Sequence, residues 1–337
     1  MKKILLIIIT FFIILSCVLT INKNDNKSTY KTVTLAEVTH SIFYAPLYVA
    51  IENNYFEDEG IKVNLILTSG ADKVSAAVLS DDADVGFAGA ESAIYVYQGG
   101  EKDYLKIFSG LTKRDGQFII GRKNQKSFEL KDLIGKEILV GRKGGMPAIN
   151  FINALKNENI DPKLVKINYQ IDFASLSGAF IGNTGDYVNL FEPNATLISK
   201  NQDAYILTSI GKYSGEMPYT TFYARKSFIE KNPKVIKAFE KAIDKGLEFV
   251  KNNDSKTIAN VIYKQFPDNS INDLSTMIDN YKKADSWLDS SIISKESFDN
   301  LQGVLIENKL LSNEIEYKKL VLNLIHNEEN NWGKKSY

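Results

Sequence analysis

The residue types that usually carry enzyme chemistry are scarce in this sequence. It contains two histidines, His40 and His326, and one cysteine, Cys17. It has no HExxH motif and no cluster of cysteines and histidines, so a zinc site or a nucleophile–histidine pair lacks its parts. The glycine-rich stretch 141–145 lacks the spacing of a phosphate-binding loop. The sequence therefore predicts no catalytic residue, metal site or cofactor, and it favours a binding function.

Two glycine-containing segments could bind a ligand through the backbone. The segment 144–147 (Gly-Gly-Met-Pro) predicts a helix start, and the segment 89–92 (Gly-Ala-Glu-Ser) predicts another. Glycine admits a ligand close to the chain, and the N–H groups of a helix start favour an acceptor or an anion. There is an alternative without a ligand. Both segments would then be plain turns, and Glu91 would simply interact favourably with the positive end of its own helix. The candidate ligand residues here are Gly144, Gly145, Met146, Gly89, Glu91 and Ser92.

The other candidates lie where predicted strands end, because ligands of open α/β sheets bind at the carboxyl ends of strands. Phe43, Tyr44 and Tyr187 could supply aromatic walls for a flat ligand. Ser69 opens the loop before a predicted helix. Glu192 precedes Pro193, which favours an extended backbone at a strand exit. Its carboxylate then points either toward the ligand or toward the connection between lobes.

The N-terminus indicates export. Met1-Lys2-Lys3 is cationic, residues 4–15 carry no charge, and Ser16 precedes Cys17. This arrangement predicts a secretory signal over residues 1–16, too short for a permanent membrane span. Residues 14–17 resemble the bacterial lipobox, which implies that Cys17 becomes lipid-modified. A plain signal peptide cut nearby and an uncleaved anchor are the alternatives. Residues 17–30 are polar and predict a flexible tether.

From residue 31 onward the chain is longer than one hydrophobic core usually accommodates, which predicts two lobes. The 41 basic and 41 acidic residues balance, which argues against a nucleic-acid binder. Strand–helix alternation predicts an α/β class, and the helical pattern that begins at Pro233 predicts a helical C-terminal region. The short run 113–116 is predicted to be a hairpin turn.

The helical region is predicted to pack back on the first lobe. Lobe 1 would then comprise residues 31–118 and 221–337, and lobe 2 residues 119–220. The chain would pass between the lobes twice, near 117–122 and near 216–221, and two such crossings form a hinge.

Four segments together resemble one branch of the periplasmic-type binding proteins, which serves nitrate, sulfonates, taurine and the pyrimidine precursor of thiamine. They are residues 44–50 (YAPLYVA), 54–63 (NYFEDEGIKV), 84–89 (DVGFAG) and 191–193 (FEP). The resemblance spans Thr32 to about Lys251. It implies a two-lobed periplasmic-binding-protein type II fold, with mixed sheets flanked by helices.

The resemblance also implies a function. The chain would be the substrate-binding lipoprotein of an ABC importer, lipid-anchored on the extracytoplasmic face of the cell membrane. It would act as a monomer that delivers a small molecule to a permease with a separate ATPase. A thiamine-pyrimidine biosynthesis enzyme of the same fold is the alternative, although those enzymes use a cysteine-rich segment that this chain lacks.

The ligand class is predicted from charge. Glu91, Asp186 and Glu192 are expected near the cleft, and an anion buried beside unpaired carboxylates would be costly. An amino-substituted heterocycle such as a thiamine-type pyrimidine is therefore favoured. A sulfonate, taurine or nitrate-like anion held by Arg142 and the helix start after Gly145 is the second hypothesis.

Overall fold

The structure is a computed structural model that describes residues 30–68, 70–201 and 203–325. The predicted signal peptide, Cys17, nearly all of the tether, Ser69 and His326 lie outside the described residues. Within the described ranges, no helix is both long enough and apolar enough to cross a bilayer.

The first sheet contains the strands β1 (Lys31–Glu37), β2 (Ile61–Leu67), β3 (Val85–Gly89), β4 (Leu105–Thr112) and β10 (Thr220–Arg225), in the order β2-β1-β3-β10-β4. β1 pairs in parallel with β2 and β3, whereas β10 is antiparallel to both of its neighbours. The sheet is therefore mixed, as predicted.

The second sheet repeats this plan. It contains β5 (Phe118–Gly121), β6 (Glu137–Leu139), β7 (Lys166–Asn168), β8 (Tyr187–Leu190) and β9 (Tyr205–Ser209), in the order β7-β6-β8-β5-β9. β6 is parallel to β7 and β8, and β5 is antiparallel to β8 and β9. In each sheet the strand that is antiparallel to both of its neighbours, β10 or β5, lies next to an edge strand, and the chain enters it from the other lobe.

Helices flank both sheets. They are α1 (Ala45–Glu52), α2 (Tyr55–Asp58), α3 (Ala71–Leu79), α4 (Glu91–Gln98), α5 (Met146–Asn157), α6 (Leu176–Ile181), α7 (Asn194–Asn201), α8 (Gly211–Ser214), α9 (Lys226–Lys231), α10 (Pro233–Asn252), α11 (Ser255–Ile262), α12 (Ile271–Lys283), α13 (Lys295–Glu307) and α14 (Tyr317–Leu320). Short 3₁₀ turns occupy Ile42–Tyr44, Leu130–Leu133, Pro162–Leu164, Phe173–Ser175 and Tyr263–Gln265.

Two chain segments, 113–117 and 210–219, connect the sheets and bond to each other. The Tyr219 N–H donates to the Thr112 carbonyl at 3.0 Å, and the Met217 N–H donates to the Lys113 carbonyl at 2.9 Å. We call this pair of segments the connector. The predicted hairpin turn at 113–116 is wrong, because β4 and β5 belong to different sheets.

The predicted division of the chain into lobes stays a proposal. Backbone pairing places Phe118 in the second sheet and Thr220 in the first. β5 and β10 therefore each begin one residue before the predicted lobe boundary. The first crossing between the lobes lies before residue 118.

The C-terminal helices pack on the first lobe. α10 begins at Pro233 and lies against α1, where Gly246 faces the Pro46 carbonyl. The Asn232 side chain bonds to the Phe228 carbonyl and does not cap the helix. The second lobe keeps a separate apolar core around Ile119, Val140 and Phe151. This two-sheet architecture with a helical C-terminal region is the periplasmic-binding-protein fold that the sequence predicts.

Candidate functional site

An aromatic cluster lies where the two lobes meet. Phe43 belongs to the 3₁₀ turn after β1, and its ring centroid is 5.3 Å from that of Phe191, which follows β8 in the other lobe. Tyr219 of the connector is 5.7 Å from Phe43. Gly116 is needed here, because a Cβ on it would lie 2.4 Å from the Phe43 ring. The contact surface between the lobes, with these aromatic rings at its base, is called the seam below.

Glu91 reaches across the seam to the first turn of α5. Its Oε1 accepts from the Met146 N–H at 3.4 Å, and the Tyr95 hydroxyl donates to the Gly144 carbonyl at 3.0 Å. A Cβ on Gly89 would lie 2.0 Å from Glu91 Oε2 and 2.6 Å from Met146 Cγ. The predicted segments 89–92 and 144–146 therefore face each other, and glycine at position 89 leaves room for the carboxylate.

The Glu91 carboxyl is 2% exposed, and its Oε2 has no hydrogen-bond partner among the described residues. Burial raises the pKa of this group to about 7, against the lowering effect of nearby backbone N–H groups and of Arg142. A carboxyl in this state can receive a hydrogen bond or a positive charge from a bound molecule.

Asp115 is a second buried acid, placed on the connector. Its Oδ1 accepts from the Gln117 N–H at 2.6 Å. Burial raises its pKa to about 8, although the Gln117 N–H and the neighbouring Tyr219 lower it. Neither Asp115 Oδ2 nor the Tyr219 hydroxyl makes a hydrogen bond of normal geometry within the described chain. Neither residue was predicted from the sequence, because 113–116 was predicted to be a hairpin turn and Tyr219 falls in the predicted crossing near 216–221.

Three amide side chains of the connector and the second lobe carry buried atoms without partners among the described residues. Gln117, Asn150 and Asn189 are each 0% exposed. Both amide atoms of Gln117 and of Asn189, and Oδ1 of Asn150, find no hydrogen-bond partner among the residues that the structure describes. Because buried polar groups are nearly always satisfied, these atoms are candidates for ligand contacts. A signal for two of them existed in the sequence, since Asn150 and Asn189 interrupt apolar runs.

The buried charged side chains are all acidic in the part of the chain whose burial is described. Among the residues whose burial is described, the buried charged side chains are Glu37, Glu91, Asp115, Glu192 and Glu240. Arg142, the predicted partner of an anion, is exposed. No group of three or more metal-ligating side chains is found in the described residues. A cation or a hydrogen-bond donor would therefore suit the seam better than an anion does.

Glu192 is fully buried, and its carboxylate already has partners. Oε2 accepts from the Thr196 N–H at 2.9 Å, while Oε1 accepts from the Thr196 hydroxyl at 2.8 Å and from Asn280 Nδ2 at 2.9 Å. Its backbone carbonyl accepts from the Ser41 hydroxyl at 2.7 Å, and its N–H donates to the Tyr281 hydroxyl at 2.9 Å. These bonds join the corner after β8 to the first lobe, so the Glu192 carboxylate lies at the connection between the lobes.

We expect Glu192→Ala to destabilise the unliganded protein by about 3 kcal/mol, because two donors of buried Thr196 and one of partly buried Asn280 lose their acceptor. Thr196→Val removes only one side-chain donor and should cost about 1 kcal/mol. Urea unfolding of both variants measures the difference. Equal stability of Glu192→Ala and the wild type would contradict a role in joining the lobes.

Some predicted site residues lie elsewhere. Tyr187 is at the start of β8, where its ring contacts Phe128 and its hydroxyl donates to Gln125 at 3.3 Å, so the structure does not bring it to the seam. Ser92 is buried in the first lobe beside Tyr223. The placement of Asp186 near the cleft is wrong: it is exposed at the far end of β8, where its carboxylate accepts from the Glu137 N–H.

Tyr44 is 3% exposed, and its ring lies 4.4 Å from that of Phe87 in the first-lobe core. Its ring centroid is also 5.6 Å from that of Phe43. Of the predicted residues, Phe43, Gly89, Glu91, Gly144, Gly145, Met146 and Glu192 lie at the contact between the lobes. Their roles toward a ligand stay predictions.

Comparison with known proteins gives both a family and a fold. The family described as NMT1/THI5 like matches residues 42–257. A Bacillus subtilis (strain 168) protein named "Putative binding protein YtlA" is 39% identical over 296 residues, covering 88% of this chain and 89% of that protein.

Two solved structures have a similar fold. The alkanesulfonate-binding protein SsuA from Xanthomonas axonopodis pv. citri, bound to MOPS, has a TM-score of 0.69 at 13% identity, covering 87% of this chain and 98% of that one. A ligand-binding component of an ABC-type import system from Staphylococcus aureus has a TM-score of 0.69 at 14% identity, covering 88% and 98%. At such identities the likeness extends to the fold alone.

Proposed function

Because this chain belongs to the NMT1/THI5-like family, we propose that it is the solute-binding component of an ABC import system. It captures a small molecule between its lobes and delivers it to a membrane permease whose ATPase is a separate subunit. Cys17 carries the lipid that holds the protein, as a monomer, on the extracytoplasmic face of the cell membrane.

The mechanism is closure about the connector. Two hydrogen-bonded segments join the sheets, so the lobes can rotate toward and away from each other while the pairing at Thr112 and Tyr219 holds. The ligand binds the closed form more tightly than the open form and shifts the population toward it. A differential affinity of about 3 kcal/mol already changes the ratio of the two forms by more than 100-fold.

The observation that carries this proposal is a group of buried, unpartnered polar atoms on both lobes and on the connector between them. Glu91 comes from the first lobe, Asn189 comes from the second, and Asp115 and Gln117 lie on the connector. Unsatisfied buried polar atoms are costly in a finished core, about 1–3 kcal/mol each. A ligand that satisfies groups from both lobes at once stabilises the closed arrangement.

The ligand we favour is an amino-substituted heterocycle, such as a thiamine-type pyrimidine. Aromatic rings at Phe43, Phe191 and Tyr219 suit a flat molecule, and buried acids suit its N–H donors. A sulfonate, taurine or nitrate-like anion is the second hypothesis. It is supported by the α5 start at Gly145 and by the alkanesulfonate-binding protein named above.

A thermal-shift screen tests the capture function. The chain from Lys31 to Tyr337 is heated with pyrimidines, sulfonates, taurine and nitrate, one at a time. A ligand present at 100 times its dissociation constant should stabilise the native state by about 2.7 kcal/mol and raise the melting temperature. If no compound of any class raises it, the proposal loses its support.

The alternative is a pyrimidine-synthesising enzyme of the same fold. It would have to turn over a precursor or consume a residue of the protein. The described histidine, His40, has both ring nitrogens engaged, with Glu37 at 2.7 Å and with the Gln265 carbonyl at 2.9 Å. Mass spectrometry of the protein and of candidate precursors after incubation should show no change. A new product would favour the enzyme.

A further inference from the structure

We propose that Asp115 and Tyr219 form the end of the ligand site that binds an N–H donor, most strongly a positively charged one, while Gln117 and Asn189 bind the ligand's polar edge. This inference rests on the proposed function, because it assigns the ligand class and the residues within the same seam. None of the four residues was a candidate from the sequence.

The connector places Asp115 and Tyr219 together. Asp115 lies on its outgoing segment and Tyr219 on its returning segment, and the Tyr219 N–H bond to the Thr112 carbonyl fixes their register. Burial and the Asp115 charge both raise the pKa of the Tyr219 hydroxyl, and the charges of Tyr44 and Glu91 raise it further. The Tyr219 ring packs against Phe43 of the first lobe and Phe191 of the second, so this pair of residues lies where the two lobes meet.

The two basic residues that precede Asp115 in the chain pair with other acids. Lys113 pairs with Asp285 at 2.9 Å. Arg114 pairs with Asp285 at 3.4 Å and with Glu216 at 3.6 Å. Both cations precede Asp115 directly in the chain, and both are used in ion pairs with partly exposed or exposed acids. A positive group from outside the chain would therefore meet Asp115 and Tyr219 without competition from Lys113 or Arg114.

The amide pair follows from strand register. Ile119 pairs with Asn189 across β5 and β8, and Gln117 lies two residues before Ile119. Because side chains alternate along a strand, Gln117 and Asn189 point to the same face of the sheet. Each amide offers one acceptor and one NH₂ donor group, so together they match an edge that alternates ring nitrogens and amino groups.

The aromatic rings fix the shape of the ligand. Phe43, Phe191 and Tyr219 approach one another with centroid distances of 5.3, 5.7 and 6.3 Å. Aromatic surfaces of this kind stack on flat rings and attract cations, which adds to the effect of Asp115. Together, the aromatic rings and Asp115 favour the binding of a planar, nitrogen-containing hydrogen-bond donor over that of a tetrahedral anion.

The test uses the full chain purified in mild detergent and isothermal titration calorimetry at pH 7. The probes are 4-aminopyridine, a protonated N–H donor; 4-methoxypyridine, which lacks the exocyclic N–H; and methanesulfonate, an anion. We expect 4-aminopyridine to bind most tightly. Asp115→Asn should weaken it by about 10- to 100-fold, because a charge-assisted hydrogen bond is lost. Tyr219→Phe should weaken it by about 3- to 10-fold.

Asp115→Asn keeps Oδ1 as the acceptor for the Gln117 N–H, so the connector should fold normally. The matched control is Glu240→Gln, which also removes a buried acid with an unpartnered oxygen but lies on α10 in the first lobe. Its affinity for 4-aminopyridine should stay within about twofold of the wild type. A second readout is proton release: the wild type and Glu240→Gln should release close to one proton on binding, and Asp115→Asn should release less.

Equal affinity of Asp115→Asn and the wild type for 4-aminopyridine overturns the assignment, as does tighter binding of methanesulfonate than of 4-aminopyridine. Failure of 4-aminopyridine to bind the wild type overturns it too. In each of these cases the proposed function stands if another compound stabilises the protein in the thermal-shift screen. It falls only when that wider screen fails as well.

Discussion

Gly246→Ala should lower the free energy of unfolding by about 2–3 kcal/mol, although alanine ordinarily favours a helix over glycine. The Cβ of an alanine at this position would lie 2.2 Å from the Pro46 carbonyl oxygen and 3.2 Å from the Ala50 Cβ. The first contact is with backbone, so it cannot be relieved by rotating a side chain. α10 would have to move away from α1, and the first-lobe core with it.

Gly303→Ala is the matched control, because Gly303 is also helical, and a Cβ on it would meet no atom within 4 Å. That substitution should stabilise the protein by about 0.5–1 kcal/mol. Urea unfolding of both variants gives the two changes under one set of conditions. If both variants are stabilised, α10 does not pack on α1 as closely as the structure has it.

The packing at Gly246 illustrates which part of the fold could be predicted. The α/β class followed from local patterns, and so did the start of the helical region, since α10 begins at Pro233 as predicted. The return of the helical tail to the first lobe followed from the need to cover an apolar stripe. The glycine contact itself is set by tertiary structure, so no local pattern could reveal it.

The connector shows where local reasoning fails. Lys113-Arg114-Asp115-Gly116 has the composition of a surface turn, and turns between neighbouring strands are usually hairpins. Here Asp115 is fully buried, because the segment passes between two sheets and lies against Phe43 and α8. The role of a polar residue in such a segment depends on which lobes it joins, and that information is long-range.

Some residues of the candidate site could be predicted from the sequence, and others could not. Glycines and helix starts could be located from sequence, so the facing segments at Gly89 and Met146 were predicted. The residues with unpartnered buried atoms, such as Gln117 and Asn189, look like ordinary polar positions until their burial is known. Asp186 shows the opposite error: it precedes β8, whereas the seam lies at the other end of that strand.

Glu240 should make the stability of the protein fall as the pH rises. Its carboxyl is 1% exposed on α10, where Oε1 accepts from the Leu324 N–H at 3.2 Å and Oε2 has no partner in the described chain. Burial raises its pKa to about 8 from an ordinary value of 4.5, and the charge of Asp244 adds to the increase. The folded protein therefore holds a proton that the unfolded chain has already lost at neutral pH.

The direction of the pH effect on stability follows from this difference in pKa between the folded and unfolded states. Below pH 4.5 both states are protonated and the full stability is present; as the pH rises through about 8 the unfolded state is increasingly favoured. Glu240→Gln keeps a neutral side chain at every pH. The variant should resemble the wild type at pH 5 and exceed it by about 2–4 kcal/mol at pH 9.

Urea unfolding of the wild type and Glu240→Gln at pH 5, 7 and 9 measures the effect. Burial also raises the pKa of Glu91 and of Asp115, so the wild type should lose stability in the same direction from those groups as well. Subtracting the two stability curves removes their shared contribution, because both proteins keep these acids. A difference that stays constant with pH would mean that Glu240 is ionised in the folded protein, and that the space between α10 and the chain at Leu324 admits water.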